Sequence, residues 1–234
     1  MLSEIKYPKF FADTSITSEI ESMMALGIIS GVTTNPLLVA KEAGNNEPAS
    51  YYKKIVEKFP KLPISIQLLD KPEEELLKNA REFASIGSNI VVKVPMFGDG
   101  RGLKILPKLI AEGINTNITG LMTAEQVLTI LLAGQGKGPT YVSLFFNRIK
   151  DGNGNPNIEI NRTRTLIEQL DSNTEIITGS IRNPSDILDA VLAGTHIVTI
   201  TPPIFETMIK HPKSDEFVNQ SQKAWEELLT SQKS

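Results

Sequence analysis

The sequence contains no cysteine. That excludes disulfide scaffolds, thiolate metal sites and cysteine nucleophiles, and it fits the cytoplasm, the location expected here. Histidine is scarce too: His196 opens a strand and His211 lies in a late loop. Neither has ligand spacing with the other or with a carboxylate cluster, so no metal site is expected. No apolar run approaches the ~18 residues that a membrane span needs, so no membrane partner is expected. The first fifteen residues lack a basic region, an apolar core and a small-residue cleavage site, so no secretory signal is expected. Charge of one sign is also missing. The 24 Lys+Arg stand against 27 Asp+Glu, a net of −3, and no nucleic-acid surface is implied. The turn after the first strand, Ala12-Asp13-Thr14-Ser15, lacks the glycines of a dinucleotide-binding open sheet,.

What is present is an alternation. Short, continuous β-branched runs (Lys9 to Ala12, Gly31 to Thr34, Pro63 to Leu68, Asn89 to Val94, Ile114 to Thr119, Thr140 to Phe146, Glu175 to Gly179, His196 to Thr201) are separated by amphipathic stretches. Runs without polar alternation indicate strands buried on both faces, and their alternation with helices indicates a parallel sheet. Helix punctuation supports this. Ser18 with Glu21 and Thr123 with Gln126 have capping-box spacing, Asn183-Pro184 opens a helix, and Gly27 and Gly194 close two others,. Gly44 to Pro48 reads as a loop between helices at Leu37 to Ala43 and Tyr51 to Phe59, and Pro107 is expected to kink or interrupt the helix from Leu103 to Glu112,. Eight units of roughly 29 residues fill the 234, which predicts a single-domain (β/α)8 TIM barrel over residues 1–234, with an extra C-terminal helix at about 216–230. A doubly wound open sheet is the main alternative.

A barrel places its chemistry at the C-terminal ends of its strands. Counting along them gives Asp13; Thr33, Thr34 and Asn35; Gln67; Lys93; Asn117 and Thr119; Ser143; Ser180 and Arg182; and Thr199 and Thr201. Lys93 is the most informative, set within Ile90-Val91-Val92-Lys93-Val94. Burial disfavours an ammonium ion, and a neutral amine can form a Schiff base with a carbonyl. The competing reading is a lysine that snorkels out or pairs with Asp13. Gln67, unlike a carboxylate, adds no charge that would hold Lys93 protonated. Ser180-Ile181-Arg182-Asn183-Pro184 joins the seventh strand to its helix, the place where many barrels hold a phosphate. The glycine-rich segments Asp99 to Gly102 and Asp151 to Asn155 lack the ligand alternation of calcium loops and read as turns. Trp225, on the closing amphipathic helix, reads as a packing residue.

Five motifs occur in order: Phe10-Phe11-Ala12-Asp13-Thr14, Gly31-Val32-Thr33-Thr34-Asn35-Pro36, Val91-Val92-Lys93-Val94-Pro95, Ser180-Ile181-Arg182-Asn183-Pro184 and Lys210-His211-Pro212. In these the chain resembles the transaldolase family, specifically the short-chain branch that includes fructose-6-phosphate aldolase. The resemblance implies a cofactor-free class I mechanism on sugar phosphates. Lys93 would form the Schiff base, Asp13 would take the proton of the substrate hydroxyl, and Gln67 and Thr119 would stand at the position of the catalytic water. Asn35 and Asn117 would hold the hydroxyls of a dihydroxyacetone unit, with Thr34, Ser143 and Phe145 lining the site. Ser180 and Arg182 would bind the phosphate. It further implies a homo-oligomer, pentamer or decamer, built with the C-terminal helix. The chain departs from the family in places. Gln67 is the aldolase-branch residue where transaldolases have glutamate. Phe145 is the transaldolase residue where the aldolase branch has tyrosine. Leu37 stands for a serine, Leu144 for a proline, and Gly120-Leu121-Met122 for an apolar pair and phenylalanine. Transfer to an aldose phosphate is the leading expectation. A lyase that releases dihydroxyacetone and a non-catalytic sugar-phosphate-binding barrel are the alternatives.

Overall fold

The β-branched runs form eight strands in the computed structural model, which describes residues 8–42, 48–134, 137–170 and 172–231. They are β1 (Lys9–Asp13), β2 (Ile29–Thr33), β3 (Ile64–Gln67), β4 (Ile90–Pro95), β5 (Thr116–Leu121), β6 (Tyr141–Phe145), β7 (Glu175–Gly179) and β8 (Ile197–Ile200). All neighbours pair in parallel, and β8 pairs back onto β1, so the sheet closes into a barrel with no free edge,. Helices lie between successive strands: α1 (Thr17–Ala25), α2 (Pro36–Glu42), α3 (Pro48–Lys58), α4 (Glu73–Ala84), α5 (Arg101–Ala111), α6 (Ala124–Ala133), α7 (Phe146–Asp151), α8 (Pro156–Gln169) and α9 (Pro184–Leu192). α10 (Pro202–Ile209) and α11 (Pro212–Ser231) follow the last strand. This is the (β/α)8 TIM barrel with a C-terminal helix.

Outward strand residues such as Ile64, Val92, Ile118, Val142 and Val198 are buried with the inner faces of the helices, including Ile20, Ile55, Leu76, Leu106 and Ile130. That double burial explains why the strands read as unbroken apolar runs. The barrel's interior starts with a second, smaller cluster of Phe11, Val91, Tyr141, Ile177 and Ile197. Phe11 meets Tyr141 edge-on, with ring centroids 5.8 Å apart. The ring also passes so close to Gly31 that a Cβ there would sit 2.5 Å from it. Glycine at 31 is thus what lets a phenylalanine close the barrel floor.

Local signals held at α6 and α9, where both capping boxes are complete, Thr123 with Gln126 and Asn183 with Asp186. Four expectations are corrected. Ser18 and Glu21 do not cap a helix. α1 starts at Thr17 behind Ile16, which offers no side-chain cap. Thr14 instead accepts the Ile16 N–H at 3.1 Å and bonds Glu19, while Glu21 pairs with Lys58. α5 runs through Pro107 without interruption, held by the fully buried Ile105, Leu106 and Leu109. The sixth strand ends at Phe145, because Phe146 begins the short helix α7 that the apolar run concealed. The C-terminal helix starts at Pro212, not 216, since His211 accepts N–H groups from its first turn. Of the loop expected from Gly44 to Pro48, residues 44–47 lie outside the described residues, as does the expected helix end at Ala43, whereas Pro48 already begins α3.

Candidate active site

Above the Phe11 floor the inward positions change from apolar to polar. A cavity of about 470 Å³ opens at the C-terminal mouth, lined by residues from nearly every strand end. Among them are Asp13 and Thr33, Gln67 and Lys93, Ser143 and Phe145, Ser180 and Thr199. Strand register does the gathering. Asp13 lies beside Thr33, Gln67 beside Lys93, and Lys93 beside Asn117. Residues far apart in sequence therefore become lateral neighbours because the strands are parallel and in step.

Lys93 is 6% exposed. Its Nζ donates to the Thr34 carbonyl at 3.3 Å, and it forms no ion pair among the described residues. Burial lowers its pKa from the ordinary 10.5, partly offset by the charge of Asp13,. Asp13 is shifted the other way. Burial raises its carboxyl above the ordinary 3.8, against the pull of Lys93 and of the Thr33 hydroxyl, which donates to it at 2.9 Å. Both shifts favour the uncharged forms. The Thr33 and Thr199 hydroxyls are 2.5 Å apart. Either hydroxyl can be the donor in that pair, and Thr199 also reaches the Phe11 carbonyl at 3.4 Å. The two hydroxyls thus form a short hydrogen-bonded chain that reaches Asp13.

Of the residues singled out in the sequence, Asp13, Asn35, Gln67, Lys93, Ser143, Phe145 and Ser180 line the cavity together. Asn35 uses its amide oxygen to cap α2, accepting from Leu37 and Leu38, which leaves its NH2 for a ligand. Three others stand behind the wall. Thr34 spends its hydroxyl on the Ser65 carbonyl at 2.8 Å. Asn117 accepts from Ser143 at 2.7 Å and donates to Ser65 at 3.3 Å, so it fixes the Ser143 hydroxyl. Thr119 is buried, and its hydroxyl has no partner among the described residues. Arg182 is not in the lining. Its guanidinium points away to Asp151 at 2.8 Å, with both side chains more than half exposed.

A different arginine reaches the cavity. Arg148, on α7, lines it, lies 5.9 Å from the Phe145 ring centroid and makes no ion pair among the described residues. The sequence reading passed over it because α7 was hidden in the preceding run. The one available signal was its position three residues after Phe145, a single helical turn from the end of β6. Beside it, Ser180 adopts a left-handed backbone conformation with φ of 58°. Its hydroxyl makes no hydrogen bond among the described residues. The cavity therefore has a buried amine and a carboxyl at depth, and toward the mouth a guanidinium with no ion pair and a hydroxyl with no hydrogen bond among the described residues. An anion is favoured at the mouth and a carbonyl at the base.

The chain is similar to known proteins over nearly its whole length. The family model described as Transaldolase/Fructose-6-phosphate aldolase matches residues 10–233. A protein of Thermoanaerobacter sp. named "Probable transaldolase" is 39% identical over 220 residues, covering 93% of this chain and 96% of that one. One of the same name from Thermodesulfovibrio yellowstonii is 39% identical over 220 residues, covering 94% and 99%. Another, from Thermoplasma volcanium, is 35% identical over 220 residues, covering 94% and 96%. Among solved structures, one described as "Native KDPGal structure" superposes with a TM-score of 0.57 at 14% identity, covering 86% of this chain and 85% of that one. At that identity it speaks for the barrel fold alone.

Proposed function

The chain belongs to the transaldolase/fructose-6-phosphate aldolase family, and from that membership we propose a class I transaldolase acting through a Schiff base on Lys93. The enzyme is of the transaldolase type. The finer reading is transfer of a dihydroxyacetone unit from a ketose phosphate, sedoheptulose 7-phosphate or fructose 6-phosphate, to an aldose phosphate. The observation that carries it is the buried Lys93 amine, without an ion pair among the described residues and within the field of Asp13, on the cavity wall.

The chemistry follows from those two groups. The neutral amine adds to the substrate ketone, and loss of water gives an iminium ion. Asp13, whose raised pKa lets it hold a proton, gives that proton to the departing hydroxyl and becomes a carboxylate. The iminium charge now favours the ionised form. The carboxylate then accepts the proton of the C4 hydroxyl while the C3–C4 bond breaks. The bonding pair moves into the iminium, leaving an enamine on Lys93 and a free aldose phosphate. Attack of the enamine on a second aldose phosphate reverses these steps, and water releases the product and restores the amine. The iminium is the electron sink, so the proposed mechanism needs no cofactor.

The phosphate end is assigned to Ser180 and Arg148 at the mouth. Arg182 backs them from its ion pair with Asp151. Thr119, with its unpartnered hydroxyl, is suited to hold a water. The aldolase-type lyase is kept as a second reading because Gln67 lines the cavity where a carboxylate would activate that water more strongly,. An assembly of several copies is also part of the reading. α11 carries Phe217, Val218, Trp225, Leu228 and Leu229 exposed, with no residue of the helix buried,.

Borohydride reduction in the presence of fructose 6-phosphate, followed by peptide mapping, tests the core of the proposal. A three-carbon adduct on Lys93 is expected. Bound substrate with no adduct at that residue would remove the class I mechanism and leave a sugar-phosphate-binding barrel.

A further inference from the structure

Ser180 is a serine in a backbone conformation that L side chains seldom adopt, φ 58°,. Such a residue persists only where its surroundings over-determine it. Here the surroundings that fix it are two hydrogen bonds to its carbonyl. The Ser180 carbonyl accepts two hydrogen bonds from one residue, Asn147: from its backbone N–H at 3.2 Å and from its side-chain amide at 2.8 Å. Asn147 is buried, and the other proton of its amide goes to Asp186 at 2.7 Å.

Asp186 completes the arrangement. Its carboxylate is 1% exposed and takes four donors: the Asn147 amide, the Lys150 ammonium at 2.9 Å, and the N–H groups of Arg182 at 3.1 Å and Asn183 at 3.2 Å. The first two come from α7 and the last two from the loop that carries Ser180. Burial alone would raise this carboxyl, but the Asn147, Lys150 and backbone donors together hold it below its ordinary 3.8, so it stays ionised at neutral pH. α7 also carries Arg148. One buried amide–carboxylate pair thereby ties the arginine element to the serine loop.

We propose that Asn147, tied to Asp186, is a positioning residue that holds Ser180 in its left-handed conformation at the cavity wall and so sets the affinity for the phosphate end of the substrate. This rests on the reading above that Ser180 and Arg148 receive that phosphate. Neither Asn147 nor Asp186 lines the cavity. They act through Ser180.

The test is a double-variant cycle. Asn147→Ala and Ser180→Gly are made singly and together, and KM and kcat are measured with glyceraldehyde 3-phosphate as acceptor and sedoheptulose 7-phosphate as donor, following the fructose 6-phosphate formed. Alanine keeps α7 a good helix, and glycine adopts φ 58° without strain. Asn147→Ala is expected to raise KM about tenfold, the scale of one lost hydrogen bond to a positioned group, with kcat within about a factor of two. In the Ser180→Gly background the same change is expected to have little further effect, because the residue it positions is gone. Independent, multiplying effects on KM would overturn the proposal, as would a fall in kcat with KM unmoved. If Asn147→Ala does not fold, Asn147→Ser, which keeps one donor, reads the same cycle with a smaller step. If the unaltered protein shows no transfer, the catalytic reading fails separately. The positioning role is then read from inorganic phosphate binding by calorimetry. Weaker binding in Asn147→Ala supports the clamp, and equal or absent binding in both proteins sinks it.

Discussion

Replacing Gly31 by alanine adds one methyl group, and the structure says where it goes. The new Cβ falls 2.5 Å from two atoms of the Phe11 ring and 2.7 Å from a third. Ordinary carbon contacts begin near 3.5 Å, so the ring must retreat by about 1 Å. It has nowhere easy to go. Phe11 is 1% exposed and is held edge-on by Tyr141, with Val91, Ile177 and Ile197 completing the cluster. Overpacking of this kind costs about 1–3 kcal/mol. With a urea m-value near the upper end of the usual range, about 3 kcal/mol/M for a chain of this size, the midpoint should fall by about 0.3–1 M. Equilibrium urea unfolding followed by far-ultraviolet circular dichroism measures it. The reasoning also demands a rescue. Phe11→Leu shortens the side chain and alone should cost stability through a cavity, but combined with Gly31→Ala it should recover part of the loss. A Gly31→Ala variant with an unshifted midpoint, or a double variant whose losses simply add, would refute the account of the barrel floor.

Two further expectations concern the chemistry. Phe145→Tyr puts a phenolic proton on the cavity wall that Lys93 shares and should increase release of free dihydroxyacetone relative to transfer; an unchanged partition in a coupled assay would count against that role. Lys93→Met should abolish the trapped adduct and yet stabilise the fold at pH 7. Because the folded lysine's pKa lies below 10.5, the unfolded chain binds the extra proton between those two values. The burial penalty is therefore fullest below the folded value and vanishes above 10.5. The stability gap between variant and parent should narrow as pH rises toward that value; a gap that is constant with pH, or of opposite sign, would contradict the assigned shift.

The barrel was legible because its strands are buried on both faces, so Ile90 to Val94 or Ile197 to Ile200 could be recognised without tertiary information. Strand-end counting then placed Asp13, Gln67, Lys93, Ser143 and Ser180 on one mouth, since parallel register converts sequence order into angular order. What escaped was set by contacts rather than by composition. Phe145-Phe146 continues the apolar run with no glycine or proline, yet the chain bends into α7 at Phe146, where the Asn147 N–H finds the Ser180 carbonyl. That bend is what delivers Arg148 to the cavity. Arg182, conspicuous in its motif, is turned outward because Asp151 lies within reach. No pattern in the sequence announces a pairing across 31 residues. The Ser18 and Glu21 spacing misled for a similar reason: Lys58 claims Glu21 from another helix.

The placement of the one tryptophan has a practical consequence for anyone following this molecule by light. Trp225 is 60% exposed on α11, and the barrel contains none. Emission excited at the red edge of the indole band thus reports the surroundings of the terminal helix and is silent about the eight strands. A blue shift on raising the protein concentration would register that helix becoming covered. Melting of the barrel is followed instead through the tyrosines, of which Tyr141 stands against Phe11 in the interior. Two colours of excitation thereby separate the coming together of chains from the unfolding of each one.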